Sequence, residues 1–331
     1  KRNRGMYRDN VVAVVVPCFN ERNKIGNVIE TMPEFVDHIY VIDDCSNDGS
    51  AEIVEQYAQT HPKVRLIRHH VNLGVGGAIA TGYRHCIDQG VDIAVVMAGD
   101  GQMDPDDLPA VLDPVVDGEA DYVKGNRFFG GEDGDPIPRV RLFGNLILSA
   151  LTKIVSGYWH VSDTQCGYTA INRAALLAVD WSKIYPRYGC PNDILTRLNV
   201  ARMRVAEVKV QARYGADWTS KMKVRKVMLP ILQLMWRLFL YRMYWKYMYM
   251  SGHPLLFYYA AAGVFLLMTV LLFAYIVGKW AWTGVIPQAA LIMFGIAFSV
   301  LIQLLLGAFA LDFQANRHLC VELKQNAKRH H

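Results

Sequence analysis

The chain has 331 residues, 52% of them hydrophobic and 20% charged, with 35 Lys and Arg against 30 Asp and Glu. That length holds one large domain or two ordinary ones with a sizeable core. Six cysteines, none in a C-x-x-C pair, argue against a disulfide framework and fit a reducing compartment. The net charge of +5 gathers beside apolar C-terminal segments, which points to anionic lipid and not to nucleic acid.

Val11 to Pro17 is a β-branched run that reads as a strand, and Asn20-Glu21 after it caps a helix through Glu30. Ile39 to Asp43 is the next strand, and Ser46-Asn47-Asp48-Gly49 turns into a helix through Gln59. Val64 to Ile67, a glycine-rich turn at Gly74 to Gly77 and a helix to Gln89 follow, then a strand at Ile93 to Met97. Short apolar strands alternating with helices of this length predict a mostly parallel sheet covered on both faces. Asp104-Pro105-Asp106-Asp107 is a helix start ahead of Leu108. Val123 to Pro138, rich in Gly and Pro, is expected to be a long mobile loop of the kind that closes over a site.

Val140 to Tyr158 is amphipathic: Phe143, Leu146, Ile147, Ala150, Leu151, Ile154 and Val155 recur at helical spacing, with Arg141, Asn145, Ser149 and Lys153 on the other face. A core helix and a helix lying in the membrane surface both fit, and the second is favoured by its neighbour. Arg225 to Met250 mixes Trp236, Phe239, Leu240, Tyr244, Trp245, Tyr247 and Tyr249 with basic residues, the composition of an interfacial helix. Leu255 to Gly278 and Trp280 to Leu311 carry no charge, so two membrane spans fit, joined by a loop with interfacial tryptophans. Both lie too far along the chain to be a signal peptide. Arg225, Lys226, Arg237, Arg242 and Lys246 precede the first span and Arg317, Lys324, Lys328 and Arg329 follow the second, so both termini are expected in the cytoplasm. The expected division is 1–222 catalytic, 223–252 juxtamembrane, 253–312 spans and 313–331 tail, in a two-span protein of the cell membrane. Ala260, Ala261, Ala262, Gly263, Gly295, Ala297, Gly307 and Ala308 permit close helix packing, including between copies in a homo-oligomer.

The stretch Val95 to Pro105 organises the first part of the chain. Its apolar run stops at Asp100, Gln102 and Asp104, and in an open α/β sheet ligands collect where strands end. Glycines on either side let Asp100 approach a bound metal or diphosphate closely. Pro17 to Glu21 and Asp43 to Ser50 put further polar groups at strand ends, where carboxylates read the base and ribose of a nucleotide. Each alone is equally an ordinary strand-to-helix turn; with Asp100 they converge on one crevice. Asn72 to Ala78 lacks the third glycine of a dinucleotide fingerprint, Ile79 standing there, and follows the third strand, which excludes a dehydrogenase.

In this order P-C-F-N-E, D-D-C-S-N-D-G, N-L-G-V-G-G-A, A-G-D-G-Q and D-T-Q-C-G-Y (Asp163 to Tyr168) resemble the family 2 glycosyltransferases. With two C-terminal spans the likeness is to the polyprenyl-phosphate branch, and it covers Val11 to Lys221 by motif and the rest by architecture. The resemblance implies an α/β protein of GT-A fold: a doubly wound, mostly parallel sheet with interfacial helices and two C-terminal transmembrane helices. It implies inverting transfer of a hexose, glucose or mannose first, from a UDP- or GDP-linked donor to a polyprenyl or dolichyl phosphate, assisted by Mg²⁺ or Mn²⁺. By position the nucleotide falls at Pro17, Phe19, Asn20, Glu21, Asp43, Asp44 and Gly76, and the metal and diphosphate at Asp100 and Gln102. Where the family commonly has Asp-x-Asp this chain has Ala98-Gly99-Asp100, so one anionic ligand is missing and Asp100 carries more.

Asp100, Asp163 and Arg127 are the expected catalytic residues. A phosphate monoester has a second pKa near ~6, so the acceptor is already anionic at neutral pH and needs cations to hold it more than a base to activate it. Arg127, Arg139, Arg141, Arg213 and Lys221 are the candidates, with Arg127, Arg213 and Lys221 favoured by the resemblance. Asp163 orients the sugar, acts as base or caps its turn, and Gln165 stands beside it; Asp193 reads as a helix start. Two other readings fit less of the chain. One is a non-catalytic sugar-nucleotide or lipid-phosphate binder, prompted by Ala98; the other is a processive polysaccharide synthase, which would need more spans and a Q-x-x-R-W motif.

Overall fold

The computed structural model describes residues 6–128, 139–211 and 224–323, with backbone alone for 139–146 and 224–228. The chain forms two compact units, one of residues up to Phe239 together with those from His318 onward, the other Leu240–Arg317.

In the first unit β1 (Val12–Cys18), α1 (Ile25–Glu30), β2 (His38–Asp43), α2 (Ser50–Thr60), β3 (Val64–Arg68), α3 (Val75–Asp88) and β4 (Ile93–Val96) alternate as their hydrophobic pattern predicts. α4 (Leu108–Val116), β5 (Tyr122–Asn126), α5 (Arg139–Ser156), β6 (Thr169–Asn172), α6 (Arg173–Ala178), α7 (Cys190–Val200), β7 (Val205–Lys209) and α8 (Val224–Arg242) follow. Two further helices, α9 (Leu255–Thr283) and α10 (Gln288–Asn316), come before a short β8 (Cys320–Val321). Among the described residues the sheet has the order β3-β2-β1-β4-β6-β5-β7-β8. Every pairing is parallel except those of β6, which runs antiparallel to both β4 and β5.

β1 is apolar at every position because both of its faces are covered. Val12, Val14 and Val16 pack with Ile25, Val54 and Leu112 on one side; Ala13 and Val15 pack with Ala78, Tyr83 and Leu195 on the other. Each such valine is worth roughly 1.5–3 kcal/mol of burial, so a polar residue at any of these positions would weaken the sheet at its centre. With the central strands fixed this way, their C-terminal ends lie side by side.

Two expectations are corrected. The loop foreseen from Val123 begins instead with strand: Val123 to Asn126 is buried in β5, because Gly125 lets the backbone approach Val210, whose Cγ2 lies 2.8 Å from where a Cβ would stand. Residues 129–138 lie outside the described residues. In α5, among the residues whose side chains are described, the inward face is only partly the apolar stripe, Val155 and Leu151 belonging to it. Ser149, Thr152, Val155 and Ser156 are buried while Ile147 and Ala150 are exposed. The reason is polar pairing: Ser149 Oγ lies 3.2 Å from Thr164 Oγ1, and Thr152 Oγ1 donates to Asn192 Oδ1 of α7 at 3.0 Å. α8 turns Leu234, Met235 and Leu238 onto Val155 and leaves Leu229, Leu232 and Trp236 exposed.

In the second unit α9 and α10, of 29 residues each, are long and apolar enough to cross a membrane. Small residues set their approach: Ala262, Ala297 and Ala308 are buried, and Gly307 faces the Tyr258 ring. Arg242, counted among the basic residues that precede the first span, is instead fully buried. Its Nη1 and Nη2 donate to the Asp312 carboxylate at 2.8 and 3.2 Å, and Tyr247 Oη donates to the same group at 2.6 Å. Lys246, also buried, donates to Asn316 Oδ1 at 2.7 Å.

Candidate active site

The turns after β1 and β2 are bound to each other. Asn20, in the left-handed region at φ 56°, donates its N–H to Ser46 Oγ at 3.0 Å and accepts the Asn47 N–H on Oδ1 at 2.9 Å. Glu21 N–H reaches Ser50 Oγ at 2.9 Å. These bonds satisfy backbone donors that a strand end leaves unpaired. In front of them opens a cleft of about 330 Å³ lined by Pro17, Phe19, Glu21, Asp44, Asn72 and Asp100 among others. Asp44 holds the next turn closed: its carboxylate accepts the N–H groups of Leu73 and Gly74 at 2.8 and 2.7 Å and pairs with His69 Nδ1 at 2.8 Å.

Pro17, Phe19, Glu21, Asp44 and Asp100 thus meet at one cleft, whereas Asn20, Asp43 and Gly76 stand behind it. Asp43 is buried and accepts the Ser46 N–H. Gly76 is buried with its N–H on Pro186 O at 2.8 Å, and a Cβ there would lie 2.3 Å from Tyr185 O, so close packing requires glycine at this position.

Asp100 and Gln102, foreseen together at a metal, face different spaces. Asp100 Oδ1 accepts the Gln102 N–H at 3.1 Å in a tight turn, and the residue lines the cleft. Gln102 lines a second, much smaller pocket of about 40 Å³ with Met103, Arg127, Gly167, Tyr168 and Gln211.

Arg127, at the end of β5, is gripped by Asp163. Nε donates at 2.7 Å, Nη2 at 3.0 Å and the Arg127 backbone N–H at 3.1 Å, a bidentate pair with its carboxylate fully buried. Burial alone would raise the Asp163 carboxyl, but the hydrogen bond and charge of Arg127, aided by Lys124, hold it below the ordinary range. Sequence reasoning missed the groups beneath. Glu207 on β7 accepts the N–H groups of Ser162 and Asp163 at 2.7 and 2.9 Å and the Asn126 amide at 2.9 Å. Burial pushes its carboxyl up, and burial pushes the Lys124 ammonium, which donates to Cys166 O, down. The signal was present: a charged residue amid an apolar strand, Lys124 in β5 and Glu207 in β7, needs a buried partner.

The other candidates are less informative. Gln165 bonds Thr164 Oγ1 and Asn192 Oδ1, and Asp193, in the first turns of α7, ties the preceding loop to the helix by accepting the Tyr185 N–H and Arg197 Nε. Arg139 and Arg141 lie on α5, where only the backbone is described, and Arg213 and Lys221 fall outside the described residues.

Among the described residues no three His, Cys, Asp or Glu side chains gather as a ready metal site. A hard cation bridging phosphates needs few protein oxygens, and the Asp100 carboxylate, with Glu21 on the same cleft, fits that demand.

A mostly parallel sheet with such a cleft at its strand ends and a carboxylate turn after β4 defines a GT-A nucleotide-sugar transferase fold. The chain belongs to glycosyl transferase family 2, whose pattern matches residues 13–179, and is a glycosyltransferase. It is 30% identical over 219 residues to the UDP-N-acetylglucosamine–dolichyl-phosphate N-acetylglucosaminyltransferase of Methanococcus voltae, covering 62% of this chain and 87% of that protein. It is 29% identical to the undecaprenyl-phosphate mannosyltransferase of Micrococcus luteus, covering 60% and 82%. The fold is shared with glucosyl-3-phosphoglycerate synthase of Mycobacterium tuberculosis, solved with Mn²⁺ and UDP, at TM-score 0.51 and 18% identity over 71% of this chain and 80% of that one.

Proposed function

We propose that this chain transfers a sugar, with inversion, from a nucleotide diphosphate sugar to the phosphate of a polyprenyl or dolichyl lipid. The observation that carries the reading is the turn Gly99 to Met103, which presents Asp100 to the large cleft and Gln102 to the Arg127 pocket. Two anionic substrates bound in those spaces face each other across one turn. The acceptor oxygen, ionised at neutral pH, attacks the anomeric carbon as the bond to the donor diphosphate breaks; nucleoside diphosphate leaves and no proton need be removed.

In this reading Arg127 holds the acceptor phosphate and offsets its repulsion from the donor, and Asp163 is a positioning residue, since its carboxylate is committed to Arg127. Asp100 with Glu21 would hold a Mg²⁺ or Mn²⁺ ion, which when bound neutralises charge on the diphosphate. The relatives named above support the lipid phosphate acceptor, and their differing sugars leave the donor to experiment. α9 and α10 fit a membrane-associated protein, and the Lys and Arg bias supports cytoplasmic termini.

The test is incubation of the detergent-solubilised chain with polyprenyl phosphate, Mg²⁺ or Mn²⁺, and UDP-N-acetylglucosamine, UDP-glucose or GDP-mannose, with mass spectrometry of the lipid. A polyprenyl-phosphate sugar is expected from at least one donor. Asp100→Asn is expected nearly to abolish it while leaving thermal unfolding unchanged. Near-normal turnover in that variant overturns the site, and nucleotide binding without product from any donor overturns the reaction.

A further inference from the structure

The large cleft carries a feature that neither motif nor resemblance signals. It is lined by three carboxylates, those of Glu21, Asp44 and Asp100, and among the described residues lining it Arg187 is the one cationic side chain. An ionised diphosphate placed there meets repulsion that something must offset. Asp44 is already spent on its neighbouring turn. Arg187 makes no ion pair among the described residues, so its guanidinium is available to a ligand.

The backbone that carries Arg187 is held firmly from both sides. Before it, Pro186 O accepts the N–H groups of Gly76 and Gly77 at 2.8 and 3.2 Å, and the Tyr185 N–H donates to Asp193 Oδ2 at 2.6 Å. After it, the Cys190 N–H returns to Arg187 O at 2.9 Å as α7 begins. Asp193 is fixed in turn by Arg197 Nε at 2.7 Å. Gly74, at φ +81°, makes room for the approach, since a Cβ there would stand 3.1 Å from Arg187 Cγ and 2.6 Å from Pro186 O. The glycines of the N-L-G-V-G-G stretch therefore act on the cleft indirectly, by seating this loop against it.

We infer that Arg187 binds the diphosphate of the nucleotide-sugar donor, a diphosphate contact beyond Asp100 and whatever cation it holds. A planar guanidinium on a pinned loop suits a phosphate pair, which it can grip through two parallel hydrogen bonds. The chain's Ala98 sharpens the argument. With one carboxylate fewer after β4, less repulsion has to be cancelled by a metal, and a side-chain cation takes a larger share of the diphosphate charge.

The inference rests on the donor-cleft reading, and the experiment separates the two. The full chain in detergent is titrated with UDP and GDP by calorimetry, with and without Mg²⁺, and with uridine and guanosine by ligand-observed NMR. Arg187→Gln is expected to weaken the preferred nucleoside diphosphate by roughly tenfold or more, most in the absence of Mg²⁺, and to leave the nucleoside unchanged. Arg187→Lys is expected to recover part of the loss, and thermal unfolding of both variants is expected to match the unaltered chain. Diphosphate affinity unchanged in Arg187→Gln, or an equal loss for the nucleoside, overturns the Arg187 assignment alone. An unaltered chain that binds neither nucleoside diphosphate overturns the donor cleft and Arg187 with it.

Discussion

Each unit of this molecule holds an arginine clamped by an aspartate in a bidentate pair, and the two pairs differ in one respect. In the catalytic unit Arg127 keeps 17% of its side chain exposed above a fully buried Asp163, and a pocket opens beside it. In the helical unit Arg242 and Asp312 are 0% and 1% exposed, and Tyr247 Oη and the Asn316 amide also donate to Asp312 Oδ1. The first pair is open on one side and can accept an anion; the second is sealed and can only hold helices together. Similar chemistry thus serves a site in one place and a joint in the other, and access to solvent decides which.

The largest expected effect breaks the sealed pair. Arg242→Leu leaves Asp312 charged, buried and short of its partner, and we expect a loss of about 3–5 kcal/mol in stability. Arg242→Met with Asp312→Leu should recover most of it, because Tyr247 Oη keeps the Asn316 amide as a partner at 2.8 Å. Thermal unfolding in detergent checks both, and a double variant no better than the single one would show that the pair does more than clamp. At the open pair activity is lost as well as stability. Arg127→Gln is expected to lower transfer by about 10²–10³ and also to weaken the fold, since it leaves the buried Asp163 carboxylate short of its partner. Initial rates at several acceptor concentrations measure it, and a loss confined to stability would make Arg127 a joint like Arg242.

A milder change separates site from support. Glu207 lines neither the large cleft nor the Arg127 pocket; it acts through the backbone of Asp163 and the Asn126 amide. Glu207→Gln keeps one oxygen for the two backbone N–H groups but sets an amide NH2 against the Asn126 Nδ2 donor, so we expect roughly tenfold slower transfer. Asparagine at Asp163 should slow transfer more than this, since it removes the bidentate grip itself. Equal rates for the two variants would mean that Glu207, not Asp163, sets the position of Arg127.

The two halves of the catalytic unit were not equally legible. β1, β2 and β4 announce themselves because each is a short apolar run ending in polar residues, a local pattern, and their parallel packing places Glu21, Asp44 and Asp100 at one edge. β6 was invisible: Thr169 to Asn172 is four residues long, and its antiparallel course depends on the gap left between β4 and β5. Pairings such as Arg127 with Asp163, or Arg242 with Asp312, span stretches over which no periodicity operates, so Arg242 counts in the sequence only with the basic residues ahead of the first span. Residue type did indicate chemistry in both cases. It could not say whether a charge was facing a ligand or another part of the chain.

The smallest expected effect is a pH dependence, and it has opposite signs at two carboxyls in contact with one backbone. Asp163 is held below its ordinary 3.8, so the folded state binds its proton less readily than the unfolded chain. Its contribution to stability is complete above about pH 4 and is lost as pH falls through the lowered value. Glu207 is raised above its ordinary 4.5, so the folded state holds its proton more tightly, and its contribution is greatest below that value and declines as pH rises through the raised one. The stability gap between the unaltered chain and Asp163→Asn should therefore be flat from neutral pH down to about pH 4 and narrow below it. The gap to Glu207→Gln should change instead above about pH 4.5, in the direction that favours the variant as pH rises. Melting curves from pH 3 upward distinguish the two windows. Gaps that change together would mean that the carboxyls titrate as one group, and the separation of grip from support would have to be given up.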